Sequence, residues 1–406
     1  MKHFFKPSFF KGNRHRFQNL QPGLTVLSAN QLILKSADLN YDFVQDPNFW
    51  YLSGLDYAGL LLVIAHQTEF IILPPISWHI ELFDGSIDKD DLRDRSQIEN
   101  IYDYKEGINK LKTLIKTADQ INAILPPKKN KLELNSFINP AQSLLIKKIK
   151  YFNKDIKIND LTPTFKLLRS IKSQEEIEAI SKAVHITLKA INYVERLVIQ
   201  KKITSAYQVA YELEYYFKKN KASGHAFSPI IANTEDATTI HFQNLEKTLK
   251  QNNLIVIDVG AEFNHYKADI TRTIAFNEIP KRQQLVFLAV KRVQEQAIKI
   301  LKPGLTFREI QEYVVKLLQD ELLKLGLLKK NDPKKVSFYF PHSFGHSLGL
   351  ETHDLIDYSL PLQEGMVITM EPGLYIKEEG IAVRVEDDIV ITKDGCLILG
   401  NSKGML

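Results

Sequence analysis

Apolar positions in the first part of the chain fall in short runs separated by prolines, glycines and charged turns. NFWYLSGL (48–55) and AGLLLVIA (58–65) read as strands, the second continuous enough to be buried. FIILPP (70–75) reads as a strand stopped by Pro74 and Pro75. INKLKTLIK (108–116) carries a helical period, and INAILPP (121–127) is another strand with a proline stop. This alternation predicts an α/β N-terminal domain. The polar stretch NKDIKINDLTPTFKLLR (153–169) has a Thr-Pro-Thr break and no sustained period. It marks the expected domain boundary, with domains over 1–160 and 161–406.

Beyond that boundary the pattern becomes that of long amphipathic helices. In IKSQEEIEAISKAVHITLKAINYVERLV, Ser173 and Glu176 form a capping box, and Ile177, Ile180, Val184, Ile191, Val194 and Val198 share one face. A second helix follows from Thr204. The pattern then recurs. RQQLVFLAVKRVQEQAIKIL leads through a Lys-Pro-Gly turn to Thr306 and Glu309, a second capping box that opens FREIQEYVVKLLQDELLKLG. Two helix pairs, each followed by strands, predict an internal repeat, and duplicated halves place a cleft at their interface. The strand blocks carry acids. LIVIDVG sets Asp258 on the face opposite Ile255, Ile257 and Val259. YKADITRTIAF holds Asp269, and MVITMEP ends in Glu371 at a Pro-Gly stop. GIAVRVEDDIVIT (380–392) alternates as one strand, with Arg384, Glu386 and Asp388 on one face.

Composition adds exclusions. The chain of 406 residues is long for one core, 44% hydrophobic and 25% charged, as in ordinary globular proteins. The net charge of +5 comes from lysines scattered in pairs such as Lys128-Lys129 and Lys218-Lys219. That is a solvated surface rather than a basic stripe, so no nucleic-acid partner is expected. The longest apolar run, Tyr57–Ala65, is far short of a membrane span. The N-terminal MKHFFKPSFFKGNRHRF is too interrupted for a signal-peptide core. One cysteine, Cys396, allows no internal disulfide and suits a reducing cytoplasm; it is read as a buried small hydrophobe.

The chemistry gathers late in the chain. PHSFGHSLGLETHD (341–354) holds His342, His346 and His353 among only eleven histidines. A buried neutral histidine must find partners for both ring nitrogens, so packing alone rarely clusters them; metal binding and proton transfer do. Asp258, Asp269, Glu371 and Glu386 lie in apolar strand contexts. One such acid could cap a loop or pair with arginine, but convergent carboxylates repel unless a cation neutralises them. A pair of divalent metal ions is the economical answer, and oxygen ligands with one imidazole suit manganese, cobalt or zinc rather than copper. His185, His66 and His79 read as structural or exposed, and His225 and His265 as lone histidines without a role.

The order Asp258, Asp269, His346, Glu371, Glu386 resembles the ligand set of the pita-bread metallopeptidases, the family of methionine aminopeptidase, Xaa-Pro aminopeptidase and prolidase. HSFGHSLGLETHD, ITMEPGLYI and GIAVRVEDDIVIT are similar to its Xaa-Pro aminopeptidase blocks, and DPNFWYLSGLDYAGLLLV to that subfamily's extra N-terminal domain. The resemblance implies an α+β pita-bread C-terminal domain with an internal pseudo-twofold repeat, and hydrolysis of the bond before a proline in second position. It implies two ions, most simply Mn2+: Asp258 on one, His346 and Glu371 on the other, Asp269 and Glu386 bridging. It implies Glu371 as proton shuttle, His353 stabilising the oxyanion, His342 and His241 lining the proline pocket, and Arg384 steadying the carboxylates. A homodimer or homotetramer is expected from the same source. The rival readings are an Xaa-Pro dipeptidase and a metal-free pseudo-peptidase scaffold. A dipeptidase must hold the free proline carboxylate, usually with a fixed guanidinium, and in Xaa-Pro-specific relatives an arginine often stands between the HDL-like and EGM-like blocks. Asp354–Gly365 offers Asp354, Asp357 and Glu364 and no cation, which predicts like-charge repulsion of a dipeptide and a preference for longer peptides.

Overall fold

The structure, a computed structural model, describes residues 4–66, 68–126 and 138–400. The chain forms two compact units, Met1–Leu168 and Arg169–Leu406. In the first, six strands run in the spatial order Asn100–Tyr102, Thr68–Ile72, Leu61–Ala65, Thr25–Ser28, Gln120–Ala123 and Lys157–Asp160. Its core joins Val26, Val63, Phe70 and Ile121 to Leu111 and Ile115 of the helix Tyr104–Thr117 and Leu145 and Ile149 of the helix Ala141–Phe152. The pattern anticipated the strands Leu61–Ala65, Thr68–Ile72 and Gln120–Ala123 and the helix over 108–116.

Two local expectations fail. NFWYLSGL is not a strand: Pro47–Ser53 is a helix. Asp46 caps it by accepting the N–H groups of Asn48 and Phe49, Pro47 occupies the first turn, and Gly54 ends it in the left-handed region. Asp-Pro followed by aromatics is a helix start, and the aromatic content masked it. The stretch 153–169 is likewise not irregular, since Lys157–Asp160 is an edge strand and Thr162–Ser170 a helix. Both are too short for a period to stand out.

In the second unit the helices Gln174–Ile199 and Ala206–Lys219 form one pair, and Lys281–Ile300 and Phe307–Lys324 the other. Three of the four start with the capping boxes Ser173/Glu176, Ser205/Gln208 and Thr306/Glu309. Strand Asn253–Val259 lies between Ile230–Asn233 and Ile270–Phe276, paired antiparallel with both. Strand Val367–Met370 pairs with Asp387–Ile391, and Gly373–Ile376 with Ile381–Arg384. A continuous core of Val290, Val293, Ile310, Val314, Ile368, Met370, Val383 and Ile389 packs the second helix pair on these strands. Gly380–Thr392 is therefore not one strand. It breaks at Val385–Glu386 and changes partners there: Val385 N–H bonds Pro372 and Glu386 N–H bonds Thr271. Among the described residues no helix is long and apolar enough to cross a membrane.

A close approach sets the separation of the first two acids. Gly260 follows the strand that carries Asp258, and a Cβ there would sit 1.7 Å from the carbonyl oxygen of Ala268, the residue before Asp269. Gly260→Ala therefore forces the two segments apart. The expected outcome is a loss of about 2–3 kcal/mol, measured by denaturant unfolding, with weaker metal binding by calorimetry.

Candidate active site

The seam between the second unit's sheets holds the acids. Asp258 lies near the end of its strand, opposite Thr271 in register, and Asp269 directly precedes the neighbouring strand. Glu371 follows Val367–Met370, and Glu386 sits at the break between strands. His346 is held over them by its own backbone: its N–H bonds Thr369 Oγ1 at 3.0 Å and its carbonyl accepts Thr369 N–H at 2.9 Å. Asp269, His346 and Glu386 each present a ligand atom within 4.8 Å of the others. His346 Nε2 lies 3.5 Å from Asp269 Oδ2 and 3.6 Å from Glu371 Oε1.

The three histidines part company. His346 Nδ1 faces the Ser347 carbonyl at 3.1 Å, so it carries the proton and leaves the Nε2 lone pair toward the acids, the tautomer a metal requires. His342 has no lone pair to spare. Its Nδ1–H donates to the Ser343 carbonyl at 2.8 Å, and Nε2 accepts from the Tyr375 hydroxyl at 2.8 Å. Tyr375 in turn accepts from Arg384 Nη1 at 2.7 Å. Burial drives His342 down to about 4, helped by the nearby Arg384, His241 and His346. The His353 ring packs tilted against His346, with centroids 4.0 Å apart and 43° between the ring planes; loss of water around it, with charge from His346 and His241, also lowers it to about 4. His241 is exposed, close enough to both rings to disfavour their protonation.

Arg384 reaches further than the strand face suggested. Its Nη2 bonds Asp258 Oδ2 at 2.5 Å and its Nε bonds Thr271 Oγ1 at 3.1 Å. Thr271 passes the contact on, its hydroxyl donating to Glu386 Oε2 at 2.6 Å. Tyr375 and Asp388 were not anticipated as site residues. Tyr375 was legible in the hairpin register: Gly373 pairs with Arg384, and Tyr375 lies two residues along on the same face. Asp388 is fully buried, and its Oδ2 accepts the backbone N–H of Asp269 at 3.0 Å.

Four carboxylates, Asp258, Asp269, Glu371 and Glu386, thus gather around the buried Arg384 guanidinium, and Asp388 adjoins Asp269. Burial and mutual repulsion push Asp269, Glu386 and Asp388 well above the usual carboxylate range. Burial pushes Glu371 up to about 7, with Asp269 and Asp258 adding to it and His346 and Arg384 opposing. Among the described residues, Asp258 Oδ1 and Asp388 Oδ1 are buried with no hydrogen-bond partner. Orphaned oxygens, surplus negative charge and one open imidazole nitrogen fit divalent cations. The expected repulsion of a carboxylate by Asp354 fails, however. Asp354 is buried, bonded to Arg169, and 3.2 Å from Lys172 Nζ, so its charge is already met. Those cations lie far back in sequence, outside the stretch where a partner was sought.

The sequence pattern of metallopeptidase family M24 matches residues 178–393, and that of the aminopeptidase P N-terminal domain matches residues 10–123. The Xaa-Pro aminopeptidase of Haemophilus influenzae is 27% identical over 97% of this chain and 94% of its own length. The Xaa-Pro dipeptidase of Pyrococcus horikoshii is 32% identical over 86% of this chain and 89% of its own. A solved Bacillus anthracis chain, provisionally assigned as an aminopeptidase P, superposes with a TM-score of 0.88 at 28% identity, covering 98% of this chain and 95% of that one. The fold and its acid-lined seam are those of a metallopeptidase. The chain belongs to metallopeptidase family M24, with an aminopeptidase P N-terminal domain before the catalytic one. It is a metal-dependent enzyme that uses divalent ions.

The acids make stability depend on pH and metal together. Folding raises Glu371 from the usual 4.5 to about 7, so the metal-free fold keeps a proton that the unfolded chain has released. That stabilisation is complete below pH 4.5 and is lost as pH rises through 7. Protein stripped by chelator should therefore melt at progressively lower temperature from pH 4.5 to 7.5. Metal-loaded protein should show a higher and flatter Tm over the same range. Equal Tm profiles for the two would contradict it.

Proposed function

We propose that this chain removes the first residue from peptides with proline second, as an Xaa-Pro aminopeptidase. The convergence of three ligand-type acids, Asp269, Glu371 and Glu386, on the open Nε2 of His346 carries the reading. The likeness to the Haemophilus influenzae Xaa-Pro aminopeptidase over nearly the whole of both chains supplies the substrate class. Asp258, Asp269, His346, Glu371 and Glu386 would hold two ions, most simply manganese, since hard oxygen donors predominate. Bound there, the ions supply Lewis-acid polarisation of the scissile carbonyl and activation of water at neutral pH.

The protein's own groups do the rest. Glu371 takes a proton from the attacking water and returns it to the departing nitrogen of proline. His353, neutral at working pH, donates to the developing oxyanion. Arg384 and Thr271 hold Asp258 and Glu386 in place, and Arg384 also aims Tyr375 at His342. His342 and His241 shape the proline pocket. The chain acts in the cytoplasm as a homo-oligomer. Asp269→Ala should lose metal and activity together. His353→Ala should keep its metal by elemental analysis while kcat falls about 10²–10³-fold. Loss of metal from His353→Ala would count against this division of roles.

A dipeptidase reading is favoured by one observation, the 32% identity to the Pyrococcus horikoshii Xaa-Pro dipeptidase. Against it, the arginines that could hold a proline carboxylate are already engaged. Arg169 is on Glu351 and Asp354, Arg272 on Asp387 and the Glu386 carbonyl, and Arg282 on Glu379 and the Leu325 carbonyl. Arg384 holds Asp258. An extended peptide offers an amide where a dipeptide offers a charge, so kcat/KM for Ala-Pro-Ala should exceed that for Ala-Pro by about tenfold or more. A preference for Ala-Pro would give the chain to the dipeptidases.

A further inference from the structure

The loop between two of the site's histidines closes on itself. Asp354 N–H donates to the Ser347 carbonyl at 2.9 Å, and Gly349 N–H to the Glu351 carbonyl at 3.1 Å. His346 and His353 each directly precede one end of the closing bond, and their rings meet at 4.0 Å. What pins this closure is ionic. Arg169 bonds Asp354 Oδ1, Lys172 Nζ lies 3.2 Å from Asp354 Oδ2, and Arg169 Nη2 also bonds Glu351 Oε2 at 2.7 Å. Lys172 Nζ reaches Ser347 Oγ at 3.4 Å. The side chains of Arg169, Lys172 and Asp354 are only 1%, 1% and 2% exposed. A Cβ on Gly349 would lie 2.2 Å from Asp354 Oδ2, so glycine is what lets the carboxylate tuck under the loop.

The cations are themselves tied to the site's strands. Lys172 N–H bonds the Gly365 carbonyl at 2.9 Å, and Ile171 bridges Met366, just ahead of the strand that leads to Glu371. Gly349 accepts the N–H of Lys267, two residues before Asp269, at 2.9 Å. Replacing a buried ion network by apolar packing of the same volume often costs no stability, so its use here points to geometry rather than to stability.

We infer that Arg169, Lys172 and Asp354 form a positioning clamp that sets the His353 ring against His346, and so governs turnover rather than metal capture. The clamp rests on the oxyanion role given to His353. The test uses the full chain loaded with manganese and Ala-Pro-Ala as substrate. Asp354→Asn should leave metal content and KM within about threefold, while kcat falls about ten- to a hundredfold, the scale of a small misplacement. Arg169→Lys should retain more kcat than Arg169→Met. In a His353→Ala background, Asp354→Asn should cause no further loss, because both act through one ring.

Folded Asp354→Asn with full kcat, or an additive loss in that background, overturns the clamp. Full kcat in His353→Ala alone overturns the role of His353 instead. The clamp is then decided without turnover, by the histidine-ring nitrogen NMR spectrum of the zinc-loaded protein. Asp354→Asn should move the His353 resonances, and an unchanged spectrum overturns the clamp. If Asp354→Asn does not fold, Lys172→Met keeps the Arg169–Asp354 pair and reads the same quantities, with severalfold losses expected.

Discussion

Mutual repulsion among buried carboxylates is the constraint around which the catalytic unit is organised. Water would screen such charges, but Asp258, Asp269, Glu386 and Asp388 are all buried. One guanidinium, Arg384, meets one of them directly. Asp269, Glu386 and Asp388 are left with raised proton affinity, and Asp258 and Asp388 each keep a buried oxygen without a hydrogen bond, an arrangement that is unfavourable until cations arrive. Metal capture and folding are therefore linked through the same atoms.

The fold tolerates that cluster because rigid ladders hold it together. Asp258 and Thr271 face each other in an antiparallel register, and Thr271 carries both the hydroxyl that donates to Glu386 and the carbonyl that accepts its N–H. Glu386 sits where one sheet hands the chain to another, so its backbone is bonded outside either ladder. Arg272 grips the Glu386 carbonyl at 2.5 Å and Asp387 at 2.6 Å, closing the seam from behind. Asp258, Asp269, His346 and Glu386 are thus each held by a partner on a strand to which they do not themselves belong.

Much of this was legible in the sequence. The capping boxes announced the long helices, because Ser173, Thr306 and their glutamates act within one turn. The acids stood out because charge inside an apolar strand is costly. What escaped depended on distance along the chain. Arg169 and Lys172 meet Asp354 across about 180 residues, and no periodicity reports such a pairing. The break at Val385–Glu386 escaped because alternation continues through it; only the change of partner strand shows it. Pro47–Ser53 escaped for a simpler reason, aromatic side chains outweighing an Asp-Pro cap.

The donor groups are divided along the chain. Asp258 and Asp269 precede the exposed turn near Asn277, whereas His346, Glu371 and Glu386 follow it. Cutting the backbone at that turn would leave every donor intact, yet neither fragment would own a complete set. The cations would then act as mortar between two separate polypeptides. Reassembly of the severed enzyme would draw on the apolar core shared by the two pieces, and added metal would tighten it further.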